Sequence, residues 1–238
     1  MRRRTFLLAG VALFGPRDAR VAGIPFQVIQ KGRSRRRYFW VHGNETTARD
    51  VLIAHMKVVQ GIAHLTRSPV RNVQVEGLQL DPNRMFSRPG AERSLRRLNP
   101  KAPESSVANA LLRLDRDRPK FLRGLLPPSG GLLIALHNNS QGYSVEDEIP
   151  ISDQSHLPKR GEPHEFFLCT DPADYARLAE GPYNVALQQT GKGADDGSLS
   201  RLCARERIRY VNLEVALGNA AAQTEMLDWL ERTLPAAK

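Results

Sequence analysis

Two side chains able to ligate a metal stand three residues apart in Val41-His42-Gly43-Asn44-Glu45. The apolar run Tyr38-Phe39-Trp40-Val41 ahead of them reads as a short buried strand, and a helix is expected to begin just after Glu45. An imidazole and a carboxylate delivered to one strand-to-helix turn can both reach a single ion. Zinc suits such a mixed donor set, and a catalytic zinc keeps three protein ligands and one open position for water. The pair therefore calls for a third ligand, a proton acceptor and an anion holder elsewhere in the chain.

Those groups have to be positioned by the surrounding elements. Ile24 to Ile29 reads as a first strand, and the basic turn Lys31 to Arg37 as a solvated edge. Thr46 or Thr47 can cap a helix running to about Leu65, because Val51, Leu52, Met56, Val59 and Ile62 recur at helical spacing. His55 and His64 would lie on that helix off one face, as packing or surface residues. Asn72 to Leu80 alternates like a strand or hairpin, ended by Asp81-Pro82-Asn83-Arg84 and followed by a charged, proline-containing connection. Val107 to Leu125 reads as a helix that Pro127-Pro128-Ser129-Gly130-Gly131 breaks. Leu132 to Leu136 is a continuous apolar run of the kind found inside a covered sheet, and it ends at His137.

A long polar loop, roughly Asn138 to Pro163, then leads to strands at Glu165–Cys169, Asn184–Gln189 and Ile208–Val215. Helices are expected near Ala173–Glu180 and Ala221–Leu234, and Gly191 to Ser200 is a loop rich in glycine and aspartate. This alternation predicts an α/β fold of three α/β/α layers around a mixed, largely parallel central sheet. Ligand chemistry in such sheets gathers beyond the carboxyl ends of the strands, where His42 and His137 both fall. No internal repeat is present.

Length and composition limit the function classes. With 238 residues and 41% hydrophobic content, the chain can bury one sizeable core. Residues 1–37 hold ten Lys or Arg and one acid, a net +9, which leaves +1 of the total +10 for everything after them. The body is nearly neutral, so the charge does not point to nucleic acid. Arg2-Arg3-Arg4 precedes an apolar run from Phe6 to Phe14 that is too short to span a bilayer, and Arg3-Arg4-Thr5-Phe6-Leu7 has the look of a twin-arginine export signal. Residues 1–22 are therefore expected to be an export signal to the periplasm and 23–238 a single domain without stable membrane insertion; the alternative is a basic tail on a cytoplasmic enzyme. The cysteines, Cys169 and Cys203, are too few for a cysteine zinc cluster. They read as two buried free thiols, with a disulfide as the alternative.

Four motifs follow in order: His42-Gly43-Asn44-Glu45, Asp81-Pro82-Asn83-Arg84-Met85-Phe86, Leu136-His137-Asn138-Asn139-Ser140 and Leu213-Glu214-Val215. In that order, and over residues 38 to about 220, the chain resembles the zinc carboxypeptidases. It looks most like the aspartoacylase and succinylglutamate desuccinylase branch, whose pattern reads H-G-N-E, D-L-N-R-x-F, L-H-N and V-E-V-G. The resemblance implies one Zn²⁺ held by His42, Glu45 and His137, with Glu214 as general base and Asn83 and Arg84 on a substrate carboxylate. Read without it, His137 could be a core histidine and Arg84 a surface partner of Asp81, whereas Glu214 among Val211, Leu213 and Val215 is a carboxylate costly to bury without a task.

The chain departs from the family at several places. Pro82 replaces a leucine, and Glu76 stands where the family has an arginine that steadies the developing oxyanion, with Arg71 as the candidate substitute. Gly218-Asn219 replaces the continuation after V-E-V-G, and the separate C-terminal domain that narrows the aspartoacylase pocket is absent from this sequence, so a more open cleft is expected. Tyr143, Tyr175 and Tyr183 are all candidate substrate-side phenols. The implied activity is zinc-dependent, carboxypeptidase-like hydrolysis of an amide bond next to a free carboxylate, in peptidoglycan or other peptides. Deacylation of an N-acyl amino acid is the alternative, and a non-catalytic binding protein is the reading from another class. The expected partner is a small peptide or acylated amino acid, not nucleic acid.

Overall fold

The computed structural model describes residues 14–140 and 142–235 of the chain. The backbone runs out as β1 (Phe14–Val21), turns, and returns as β2 (Ile24–Lys31), the turn residues Ala22 and Gly23 both having positive φ. Next come β3 (Arg36–Trp40), α1 (Thr46–Met56), β4 (Gly61–Thr66) and the hairpin of β5 (Val73–Val75) and β6 (Leu78–Leu80). Helices α2 (Arg88–Leu98) and α3 (Glu104–Leu125) precede β7 (Leu132–Asn139), which is followed by α4 (Val145–Glu148) and β8 (Gln154–His156). The remaining elements are β9 (Phe166–Cys169), α5 (Pro172–Ala179), β10 (Asn184–Leu187), α6 (Leu199–Arg205), β11 (Tyr210–Ala216) and α7 (Ala220–Thr233).

Nine of these strands form one mixed sheet in the order β1-β2-β4-β3-β7-β11-β9-β10-β8. The centre, β4-β3-β7-β11, is parallel throughout, and antiparallel pairs flank it. Period-two alternation divides each central strand between two cores. In β7, Leu133 and Ala135 pack with Leu95, Leu114, Phe121 and Leu202 of α2, α3 and α6. Leu132, Ile134 and Leu136 pack on the other face with Leu52, Leu178 and Leu227 of α1, α5 and α7. The chain is therefore a three-layer α/β/α sandwich, and His137 continues the parity of Leu133 and Ala135 onto the α2–α3 face.

Some local expectations change. The helix after Glu45 ends at Met56, and Gly61–Thr66 is a strand inserted between β2 and β3. Gly61 marks the change of element, because a Cβ there would fall 2.7 Å from the Tyr38 ring on β3. His64 thus lies on a strand, while His55 stays on α1, and both are buried. The proline-containing connection after Arg84 holds α2: Ser87 caps it by accepting from Gly90 N (3.2 Å), and Pro89 sits in the first turn, where its missing N–H costs nothing. The polar loop after β7 contains α4 and β8, and the glycine- and aspartate-rich loop runs into α6.

The stretch expected as an export signal lies outside the described residues as far as position 13. Its remainder forms β1, which pairs with β2; Val21 is fully buried and Ala22 N donates to Asp117 Oδ2 (3.0 Å). Cys169 and Cys203 are free thiols in different cores on opposite faces of the sheet, which excludes a bridge between them. Among the described residues, no helix is long and apolar enough to cross a membrane.

Candidate metal centre and its cavity

The parallel register of β7 and β11 sets His137 directly opposite Glu214 at the strands' carboxyl ends. β3, the other neighbour of β7, releases the chain into the turn that carries His42 and Glu45. That turn depends on Gly43, because a Cβ there would fall 1.8 Å from the Ser68 carbonyl oxygen of a crossing segment, which also accepts at Val70 O from Gly43 N (3.2 Å). Trp40 Nε1 donates to Glu45 O (2.8 Å) and fixes the far side of the turn.

Three donors converge there. His42 Nδ1 lies 2.7 Å from Glu45 Oε1, and His137 Nδ1 lies 3.0 Å from Glu45 Oε2. All three side chains are buried, and one ligand atom from each lies within 4.8 Å of the others, close enough to share a metal ion. The second nitrogen of His42, Nε2, is 2.8 Å from Asp81 Oδ1. A carboxylate behind a histidine in this way fixes the ring's tautomer and orientation. Burial works against charge on all three of His42, Glu45 and Asp81. The charges of Glu45 and Asp81 and their hydrogen bonds nevertheless raise His42, while the histidines hold both carboxyls well below the usual range.

A buried amide network braces the site from behind. Asn138 Oδ1 accepts from Ala48 N of α1 (2.8 Å), and Asn138 Nδ2 donates to Gln223 Oε1 of α7 (2.8 Å). Gln223, fully buried, donates through Nε2 to the His137 carbonyl (3.1 Å). Two amide side chains thus tie the strand carrying His137 to the helix that follows Glu45.

Glu214 accepts from Asn212 Nδ2 (3.0 Å) and Asn139 Nδ2 (3.4 Å). Burial pushes its carboxyl up to about 7, with help from the Glu45 charge and against the pull of His137 and the Asn212 hydrogen bond. The cavity in front of these groups, about 380 Å³, is also lined by Arg71, Asn83, Arg84 and Tyr143. Every site residue expected from sequence therefore meets in one place. Arg71 Nη1 is 3.0 Å from Glu45 Oε1, whereas Glu76 does not line the cavity and sits in the β5–β6 turn with positive φ. Asn83 Oδ1 accepts from Leu199 N (3.2 Å), and the ion-pair partner of Arg84 is Asp196 (3.0 Å), not Asp81. Of the three candidate phenols only Tyr143 lines the cavity, its hydroxyl donating to Glu148 Oε1 (2.6 Å).

One lining group was not foreseen. Arg201 on α6 is only 7% exposed, and its Nη1 has no hydrogen-bond partner. Gly191 and Gly193 run beside its guanidinium, where a Cβ would come within 3.9 and 3.6 Å, ordinary contact distances. The sequence signal is an arginine on the same side as Leu199, Leu202 and Cys203, which recur at helical spacing over a single turn.

No family model and no curated protein matches the chain. Solved structures do. The succinylglutamate desuccinylase/aspartoacylase from Rhodobacter sphaeroides is 16% identical, with 90% of this chain and 60% of that chain covered and a TM-score of 0.45. The ectoine utilization protein EutE (DoeB) from Ruegeria pomeroyi is 15% identical over 90% of this chain and 62% of its own, with a TM-score of 0.44. A protein from Shewanella amazonensis SB2B with the provisional name metallopeptidase is 12% identical over 93% and 88%, with a TM-score of 0.42. This chain spans about 60% of the length of the first two. These proteins are what the chain is similar to, and what it does has to be argued from its own side chains.

Proposed function

We propose that the chain is a metal-dependent hydrolase of amide bonds next to a free carboxylate. The observation carrying this reading is the convergence of His42, Glu45 and His137 opposite a buried carboxyl, Glu214, whose pKa is about 7. The donor set fits zinc: two imidazole nitrogens and a carboxylate oxygen, buried together, with Asp81 bracing the outer nitrogen of His42. Bound by those three residues, zinc would lower the pKa of water to about 7 and polarise the target carbonyl.

The chain's own groups account for the rest. Glu214, poised near neutrality, takes the proton of the attacking water on its carboxylate and passes it to the leaving nitrogen. Arg71, half exposed beside Glu45, offers its guanidinium to the oxygen that gains charge as the carbonyl is attacked. Asn83, Arg84 and Arg201 hold the substrate carboxylate, and a planar guanidinium suits that group because it can donate two parallel hydrogen bonds.

The substrate we favour is the carboxyl end of a peptide, in peptidoglycan or elsewhere, in the periplasm. Arg3-Arg4-Thr5-Phe6-Leu7 serves as the export address in this reading. β1 stays on the domain in this reading, because removal after Ala22 would strip β2 of its paired edge. The second reading, deacylation of an N-acyl amino acid, draws support from the cavity, whose volume of about 380 Å³ also suits a small ligand held on several sides. Zinc-loaded protein assayed on muropeptides and on acetyl- and succinyl-amino acids separates the two, and hydrolysis of the latter alone reverses the preference. Failure on both panels with metal bound would leave a binding protein.

A further inference from the structure

A second cavity, about 460 Å³ in volume, opens between β1, β4 and the last turns of α3, and it shares no described residue with the cavity of the metal centre. Its volume falls within the range of small-molecule sites, about 300–1,000 Å³. His64 stands in its wall from β4, with the Phe121 ring of α3 edge-on to the imidazole. Only 3% of His64 is exposed, and the ring makes no hydrogen bond to a described residue. Its Nδ1 is shut inside the protein, so the polar atom left to the cavity is Nε2. A buried polar group without a partner is uncommon and asks for one that the chain does not supply.

The helix above keeps that nitrogen uncovered. A Cβ on Gly124, which also lines the cavity, would stand 3.7 Å from His64 Nε2 with no other atom within 4 Å. Gly124 lies in the last turn of α3, where no positive φ calls for glycine and no crossing backbone needs its bareness. Any longer side chain there would close over the imidazole. The rim of the cavity is cationic. Arg20 of β1 and Lys120 of α3 line it without an ion-pair partner among the described residues. The two acids beside them are already matched. Asp18 Oδ1 accepts from Arg67 Nε (3.1 Å) and Nη2 (2.7 Å), and Asp117 accepts from Ala22 N (3.0 Å) and Arg116 Nε (3.1 Å). That leaves the terminal nitrogens of Arg116, which lines the cavity too, without a partner. Burial and the Arg37 charge keep His64 neutral, and with its hydrogen on Nε2 the ring joins these cations as a donor. Donors from three elements thus face one space that offers them no acceptor. A phosphate monoester answers such a set better than a carboxylate, because it carries a charge of about −1.5 to −2 and three acceptor oxygens.

We propose that this cavity is a binding site for a small organic phosphate monoester, held by Arg20, Arg116 and Lys120, with His64 Nε2 donating to an oxygen of the ligand. The assignment does not depend on the hydrolase reading, and its test needs no turnover. Zinc-loaded protein carrying ¹⁵N-labelled histidine is titrated with phenyl phosphate and, as the carboxylate with the same ring, with benzoate. The His64 side-chain signals, identified by their loss in His64→Leu, should move saturably, and phenyl phosphate should bind about fivefold or more tighter than benzoate. Gly124→Leu should weaken phenyl phosphate about tenfold or more with an unchanged circular dichroism spectrum. Lys120→Gln, a change at an exposed side chain, should weaken it about fivefold and flatten its salt dependence. His64 signals that stay in place, or an affinity that Lys120→Gln and a folded Gly124→Leu leave as it was, overturn the site. Equal binding of benzoate overturns the phosphate assignment.

Discussion

Two regions of this molecule bury histidine against the α2–α3 side of the same sheet and make opposite use of it. His42 and His137 are 2% and 4% exposed at the strands' carboxyl ends, and His64 is 3% exposed on β4. The first two stand on the carboxylates of Glu45 and Asp81. His64 packs its ring 6.0 Å from that of Phe121, and its Nδ1 has no partner. Burial and then the nearby Arg37 charge drive His64 down to about 4, so it stays neutral. Equal burial therefore says nothing about role; the charge of the neighbours decides whether an imidazole ligates a metal or stays a neutral wall.

The largest effect expected from this contrast is on metal content. His137→Ala should lose the capacity to bind metal, measured as zinc per protein after loading and dialysis, while His64→Leu should keep it. Equal metal in wild type and His137→Ala would break the comparison. Next in size, Glu214→Gln should retain metal and lose about 10²- to 10⁴-fold in kcat. In the metal-free wild type the Glu214 carboxyl should titrate at about 7, followed by infrared difference spectroscopy against Glu214→Gln, and metal loading should lower it. A carboxyl that titrates in the usual range without metal would remove Glu214 from the role.

A smaller loss is expected behind the ligands. Gln223→Met removes the donor to the His137 carbonyl and the acceptor for Asn138 while keeping volume, and should weaken zinc binding by about 10- to 100-fold in a competitive chelator titration. Unchanged affinity would make the amide network a matter of packing alone. A separate effect, on stability and not on the site, is expected at His64. Its ordinary pKa of 6.5 applies in the unfolded chain, and about 4 applies in the fold. The unfolded chain therefore takes up the proton first, and stability is lost as pH falls from about 6.5 toward 4, by about 3 kcal/mol. Denaturant midpoints of wild type and His64→Leu should diverge over that window, with the variant lacking this loss; parallel curves would mean that His64 is solvated in some other way.

Local patterns explain which parts of this molecule could be read in advance. The apolar run ahead of His137 and the alternation around Glu214 each mark a strand and its end, and both groups lie where those ends are. The helix after Glu45 is shorter than its apolar period implies, because Val59 and Ile62 continue that period beyond Met56. They belong instead to a turn and to β4, whose place in the sheet is secured by pairing with β2 and β3. The short helix α6 leaves a period of only one turn, Leu199, Leu202 and Cys203, too brief to mark Arg201 between them as an inward-facing residue.

From its amino acids alone this chain determined the kinds of donor it carries and the strand ends that present them. Hydrophobic period and turn chemistry act over a few residues and are written locally. Only the tertiary structure decided that Arg71 and not position 76 faces the ligands, that Arg84 is already paired with an aspartate, and that a glutamine of the last helix braces His137. Those choices depend on distances between segments far apart in the chain, which packing across the sheet fixes and no local pattern records.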